Sequence, residues 1–259
     1  MIEAAGIVIP AHNEDTLIRA CLRALRKAVV SVRIPVQVCV VADRCTDTTV
    51  EVVSAVMPEA VVVRSDWRRT LGRVRDLGMR QLMESLAALD PANVWLLGTD
   101  ADTCVRPDWI ERQLAHANAG ADAVTGLVDL QPAHHLTNEL RSAYRALVAE
   151  HLHPHHHGHI HGANFGVRAS AYASVDGYRD LDTGEDRDLW FRLQKAGHRM
   201  LQPRDLDVLT SPRTTGRAHG GLADLLASLV SRPPNSGTSS TGRTTTTPSR
   251  HPSASRPAN

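Results

Sequence analysis

Val94-Trp95-Leu96-Leu97-Gly98-Thr99-Asp100-Ala101-Asp102-Thr103 decides how this chain is read. VWLLG has no polar alternation, so it reads as a strand covered on both faces, the kind found in parallel sheets packed between helices. The same unit recurs upstream. Ala5–Pro10 (AGIVIP) precedes a helix expected over Asp15–Val30, with Leu17, Ile18, Cys21, Leu22, Leu25 and Val29 at helical spacing. Val36–Ala42 precedes a helix over Thr46–Val56. Ala60–Ser65 precedes one over Leu71–Ala88, with Val74, Leu77, Leu82 and Leu86 on one side. Downstream, a helix is expected from Pro107 and a fifth strand at Ala123–Val128. Four strand–helix units in series predict an α/β fold, a doubly wound, mostly parallel, Rossmann-like sheet flanked by helices.

The 259 residues, 42% hydrophobic and 22% charged, are enough for one domain with a substantial core. Its 29 basic and 28 acidic residues nearly cancel, which argues against a nucleic-acid partner held by phosphate neutralisation. No apolar run approaches membrane-spanning length, and Met1–Gly6 lacks the pattern of a secretory signal. Cys21, Cys39, Cys45 and Cys104 show no C-x-x-C pairing, so a reduced, cytoplasmic setting is the simplest expectation. From Ser231 to Asn259 the sequence is rich in Ser, Thr, Pro and Arg and has no acid or aromatic residue. A domain over 1–230 with a disordered 231–259 tail is therefore expected. Within the domain, 1–120 is expected to form one half and 121–230 the other. The tail's four arginines leave 25 basic against 28 acidic residues in the domain. They also leave room for peripheral contact with an anionic membrane face.

Ligands of doubly wound sheets bind beyond the carboxyl ends of the strands. The first strand ends in Pro10-Ala11-His12-Asn13-Glu14, without G-x-G-x-x-G, and no G-x-x-x-x-G-K-[ST] occurs, which counts against dinucleotide-binding and P-loop proteins. At the second strand's end, Asp43 can accept an N–H from a base or serve as a turn residue, while Asp47 suits a helix cap. At the fourth, Asp100 and Asp102 project to one side if the strand direction persists. Two carboxylates so placed call for a cation, and oxygen ligands suit Mg²⁺ or Mn²⁺ completed by substrate phosphates. Their bland alternative is a turn ahead of the next helix. Farther on, His161-Gly162-Ala163-Asn164 allows close backbone approach. Gly184-Glu185-Asp186 opens another amphipathic helix, where acids favour the macrodipole and stay ionised as a general base requires.

These segments, in this order over roughly residues 5–200, resemble the family 2 glycosyltransferases of the GT-A fold. The resemblance rests on IVIPAHNE (7–14), VADRCTDTT (41–49), Asp100-Ala101-Asp102 and Gly184-Glu185-Asp186. It implies transfer of a sugar from a nucleoside-diphosphate sugar to an acceptor hydroxyl with inversion, as a hexosyltransferase does. Pro10, Ala11, Asn13, Glu14, Asp43, Asp100 and Ala101 would then hold the nucleotide sugar. Asp100 and Asp102 would carry the divalent cation, with His219 as a further candidate ligand. Asp186 would act as the base, with Glu185 supporting it or binding acceptor, and His161, Gly162, Ala163 and Asn164 would face the acceptor. Gly72–Gly78 resembles the family's arginine-bearing helix start, in which Arg73 or Arg75 meets phosphate or makes surface ion pairs.

One stretch departs from that pattern. Seven of the 14 histidines lie between His151 and His161, six of them spaced by two. Such a loop can shape the acceptor site, bind zinc, or simply be solvated. Rival expectations are a sugar-nucleotide pyrophosphorylase, which would need a glycine-rich basic first loop, and a non-catalytic nucleotide-sugar or metal-binding protein.

Overall fold

The computed structural model describes residues 1–134, 136–216 and 220–231. The expected tail, from residue 232 on, and His219 lie outside the described residues. The chain runs β1 (Ala4–Ala11), α1 (Ile18–Val30), β2 (Val36–Asp43), α2 (Thr49–Val56), β3 (Val61–Ser65), α3 (Leu71–Ser85), β4 (Val94–Gly98), β5 (Thr103–Val105) and α4 (Trp109–Asn118). The second half follows with β6 (Ala123–Thr125), β7 (Leu127–Leu130), α5 (Asn138–Ala149), β8 (Phe165–Arg168), α6 (Ala169–Ser174), α7 (Glu185–Lys195), β9 (Met200–Leu201), β10 (Asp207–Thr210) and α8 (Leu222–Val230).

Seven strands form the main sheet in the order β3-β2-β1-β4-β8-β6-β9. Only β8 runs antiparallel to its neighbours, so the sheet is mostly parallel. Its apolar strands alternate between two cores. Ile7 and Ile9 of β1, Val38 and Val40 of β2 and Trp95 and Leu97 of β4 pack with residues of α1, α2 and α4. Ala4, Val8, Cys39, Val41, Val94 and Leu96 point the other way, toward α3, α6 and α7. This is the two-sided burial that the unbroken apolar runs require.

α3 lies close to the sheet because it carries glycine where its axis crosses. A Cβ on Gly78 would meet Val8 and come within 2.8 Å of Val41 Cγ2. On Gly72 it would overlap the Arg179 carbonyl.

The expected fifth strand over Ala123–Val128 is two strands. β6 stays in the main sheet, while β7 joins a second, three-stranded sheet ordered β5-β10-β7. The break falls at Gly126, where any Cβ would strike the Asn164 amide and the Leu206 carbonyl. Hydrophobicity runs straight through this joint, so periodicity could not reveal it.

Candidate active site

The C-terminal ends of β1, β2 and β4 open onto a cleft of about 1120 Å³. The small-residue segment before β8, the start of α7 and the stretch after β10 close its other side. Two backbone bends shape its rim at the ends of β1 and β2. Asn13 (φ 53°) and Arg44 (φ 48°) adopt the left-handed conformation just beyond β1 and β2. Asparagine tolerates this region, whereas arginine there stores strain of about 1–3 kcal/mol. Asn13 Oδ1 accepts from Thr46 N at 2.7 Å and Asp47 N at 3.3 Å, tying the two loops together. Asp47 accepts from Thr49 N at 3.0 Å at the start of α2, although the cap position itself falls on Thr48, whose side chain makes no capping bond.

Asp43 ends β2 with its carboxylate 9% exposed. Its Oδ2 accepts from Arg44 Nη2 at 3.2 Å, whereas Oδ1 is buried and has no hydrogen-bond partner among the described residues. A buried carboxylate oxygen left without a donor calls for one from a ligand.

The acidic pair after β4 is arranged differently from the extended geometry expected. The chain turns at once, with Thr103 N donating to Asp100 O at 3.0 Å. Both side chains still line the cleft, but each is engaged by an arginine. Arg75 Nη2 donates to Asp100 Oδ1 at 2.6 Å, and Arg213 Nη2 lies 2.9 Å from Asp102 Oδ2. Arg213 Nη1 donates to both Glu14 oxygens, at 2.9 and 3.1 Å. Burial, with the Asp100 and Glu14 charges adding to it and Arg213 opposing it, pushes the Asp102 carboxyl up to about 6. These hard oxygen donors and the surplus negative charge fit Mg²⁺ or Mn²⁺. Among the described residues no three His, Cys, Asp or Glu side chains converge on one point, so a cation here would need substrate oxygens as well.

Across the cleft, Gly184 (φ 73°) turns the chain into α7. A left-handed turn of this kind is one that glycine adopts without strain. Glu185 and Asp186 then fall in the helix's first turn. Asp186 Oδ2 accepts from Gly162 N at 2.8 Å. Burial raises the carboxyl pKa of both acids, partly offset in each by Arg75. Arg75 is 2% exposed and joins the two sides. Its Nε donates to Glu185 Oε1 at 3.1 Å and its Nη1 to Gly162 O at 3.1 Å, in addition to the Asp100 bond.

Most of the residues expected from sequence meet in this one cleft: Pro10, Ala11, Glu14, Asp43, Arg75, Asp100, Ala101, Asp102, His161, Gly162, Ala163, Glu185 and Asp186. Three do not. Asn13 is occupied in its loop staple. Arg73 pairs with Asp180 at 3.5 Å and lines a hollow of about 340 Å³ that adjoins the cleft and shares Arg68, Arg69 and Asp182 with it. Asn164 is wholly buried, accepting from Trp109 Nε1 at 2.9 Å and donating to the Leu127 and Leu206 carbonyls. In the histidine stretch, His159 and His161 stack with centroids 5.6 Å apart, and both line the cleft. Sequence reasoning missed Arg213. The available signal was its place in Thr210-Ser211-Pro212-Arg213, the carboxyl end of another strand, but DVLT is too short a strand to stand out.

Residues 6–175 match the profile of the family described as Glycosyl transferase family 2. The chain belongs to glycosyl transferase family 2. Solved structures agree with the GT-A fold. Staphylococcus aureus TarS 1–349 superposes with a TM-score of 0.56 at 14% identity, over 83% of this chain and 61% of that one. The same TarS portion has been solved with UDP and with UDP-GlcNAc. The mannosyltransferase PcManGT from Pyrobaculum calidifontis, solved with GDP-Man and Mn²⁺, gives 0.58 at 20% identity, over 82% of this chain and 58% of that one. A mycobacterial protein gives 0.57 at 17% identity, over 88% and 73%. This family 2 chain thus spans about three-fifths of the length of TarS 1–349. No curated protein matches it by sequence.

Proposed function

We propose that this family 2 chain transfers a hexose-type sugar from a nucleoside-diphosphate donor to an acceptor hydroxyl, with inversion at the anomeric carbon. The observation carrying this reading is that Asp43, Asp100 and Asp102 face Glu185 and Asp186 across a single cleft, with Arg75 between them. The free Oδ1 of Asp43 accepts an N–H of the nucleobase. Asp100 and Asp102 would hold a divalent cation, which when bound supplies positive charge to the departing diphosphate. Support comes from the donors and Mn²⁺ named for TarS and PcManGT.

Asp186 takes the acceptor proton. Its raised pKa suits a base working near neutrality, and the Gly162 N–H fixes its orientation. The acceptor oxygen attacks the anomeric carbon while the bond to the diphosphate oxygen breaks, the electron pair leaving with the nucleotide. One base opposite the leaving group gives a single displacement, hence inversion. Glu185, held by Arg75, positions the start of α7 and does not take the proton.

The test is a panel of UDP-, GDP- and dTDP-sugars with and without Mn²⁺. A donor at 100 times its Kd adds about 2.7 kcal/mol. For a domain of this size that raises Tm by about 5–10 °C. Asp186→Asn should retain this shift and lower turnover by about 10²–10⁴-fold. Equal loss of donor binding and turnover would remove the base role, and a flat panel would remove the reading altogether.

A further inference from the structure

Two arginines neutralise the acids of the donor corner, and they differ in kind. Arg75 is buried and anchored by three partners, one of them a backbone carbonyl. Arg213 is 28% exposed in its side chain and lies on the irregular stretch 211–216 that follows β10. Its two terminal nitrogens reach Glu14, at the end of β1, and Asp102, after β4. The guanidinium therefore sits over the strand ends, where a donor diphosphate must lie if Asp43 takes the base.

We infer that Arg213 is a catalytic residue that binds the donor's diphosphate and stabilises it as it leaves. This inference rests on the glycosyl-transfer reading and adds to it a cation supplied by the chain itself. A planar guanidinium presents paired N–H donors, and the non-bridging oxygens of a diphosphate match that fork as carboxylates do. On donor binding, Arg213 exchanges carboxylate oxygens for phosphate oxygens. The exchange keeps its charge partnered and frees Asp102 Oδ2, an oxygen that a divalent cation can then use. During transfer the bond between the anomeric carbon and the phosphate oxygen breaks, and its electron pair stays on that oxygen. Arg213 hydrogen-bonds the charge that develops, while the acceptor's proton goes to Asp186. Its side chain is partly exposed and bonded only to carboxylates, so it can turn toward the leaving group, whereas Arg75 is buried and tied to a backbone carbonyl.

The experiment is calorimetric binding of UDP, GDP, dTDP, inorganic pyrophosphate, uridine, guanosine and thymidine to the full chain, in EDTA and again in Mn²⁺. Arg213→Gln should weaken the bound nucleoside diphosphate and pyrophosphate by about 10–100-fold, as loss of a bidentate charged contact does. The matching nucleoside, which lacks phosphate, should change by less than about twofold and so reports an intact cleft. Arg213→Lys keeps the charge without the fork and should lose about 3–10-fold. It carries the test if the glutamine variant does not fold. Diphosphate binding to Arg213→Gln as tight as in the wild type, or tighter, would show an arginine that merely fills the corner. Equal loss of nucleoside and diphosphate would show a structural role. Either result overturns the inference alone, whereas a wild type that binds none of UDP, GDP and dTDP overturns the glycosyl-transfer reading with it.

Discussion

Arg75 has almost no access to water, yet it holds two carboxylates from opposite sides of the cleft. Removing one partner of a buried ion pair leaves the other charged and desolvated, which costs about 3–5 kcal/mol. Arg75→Met should therefore lower the urea unfolding free energy by that amount. Lysine should not rescue it, because one ammonium cannot span Glu185 Oε1, Gly162 O and Asp100 Oδ1 in the same fork. An unchanged urea midpoint in the methionine variant would show that the network contributes nothing. The sequence pointed to an arginine here, in Gly72-Arg73-Val74-Arg75, but could not say whether it met phosphate or protein. Arg73 and Arg75 are two positions apart on a helix and so face different surroundings, one exposed and one buried. That difference becomes visible only once α3 is docked.

At the scale of elements, α3 shows how tightly a helix can be set on a sheet. Gly78→Ala pushes a methyl against Val8 and Val41, side chains that can shift, and should cost about 1–3 kcal/mol. Gly72→Ala meets the Arg179 carbonyl, which the adjoining backbone fixes, and should cost more. Thermal unfolding of the two variants checks the order, and a milder Gly72→Ala would contradict it. The histidine stretch carries a separate prediction. His157 is buried, its Nε2 has no partner among the described residues, and burial followed by the neighbouring His159 lowers its pKa to about 4. Between the unfolded value of about 6.5 and about 4, the unfolded chain binds a proton that the folded one refuses, so stability falls with pH. Buried carboxyls with raised pKa act in the opposite sense, which makes a difference measurement necessary. Relative to His157→Asn, the wild type should lose up to about 1.4 kcal/mol per pH unit across that window. Parallel curves for the two proteins would mean that His157 titrates as it does in the unfolded chain.

Over the whole molecule, the strands of the first half were legible because burial on both faces leaves an unmistakable apolar run. Their carboxyl ends located Asp43, Asp100 and Asp102 without knowledge of any contact. The second half was harder to read. Its strands are two to four residues long, one joint at Gly126 divides two sheets, and β10 sends Arg213 into the cleft from more than a hundred residues away. Asn164 sits in the same short segment as His161 and Gly162 but turns into the core, a choice made by Trp109 and two carbonyls rather than by sequence spacing.

The guanidinium of Arg75 joins the corner after β4 to the start of α7 through one rigid group. Any ligand that draws Asp100 away from it changes the grip on Glu185, at the mouth of the helix bearing Asp186. Thermodynamic linkage makes such influence mutual: whatever factor a bound nucleotide imposes on acceptor affinity, a bound acceptor must impose on nucleotide affinity.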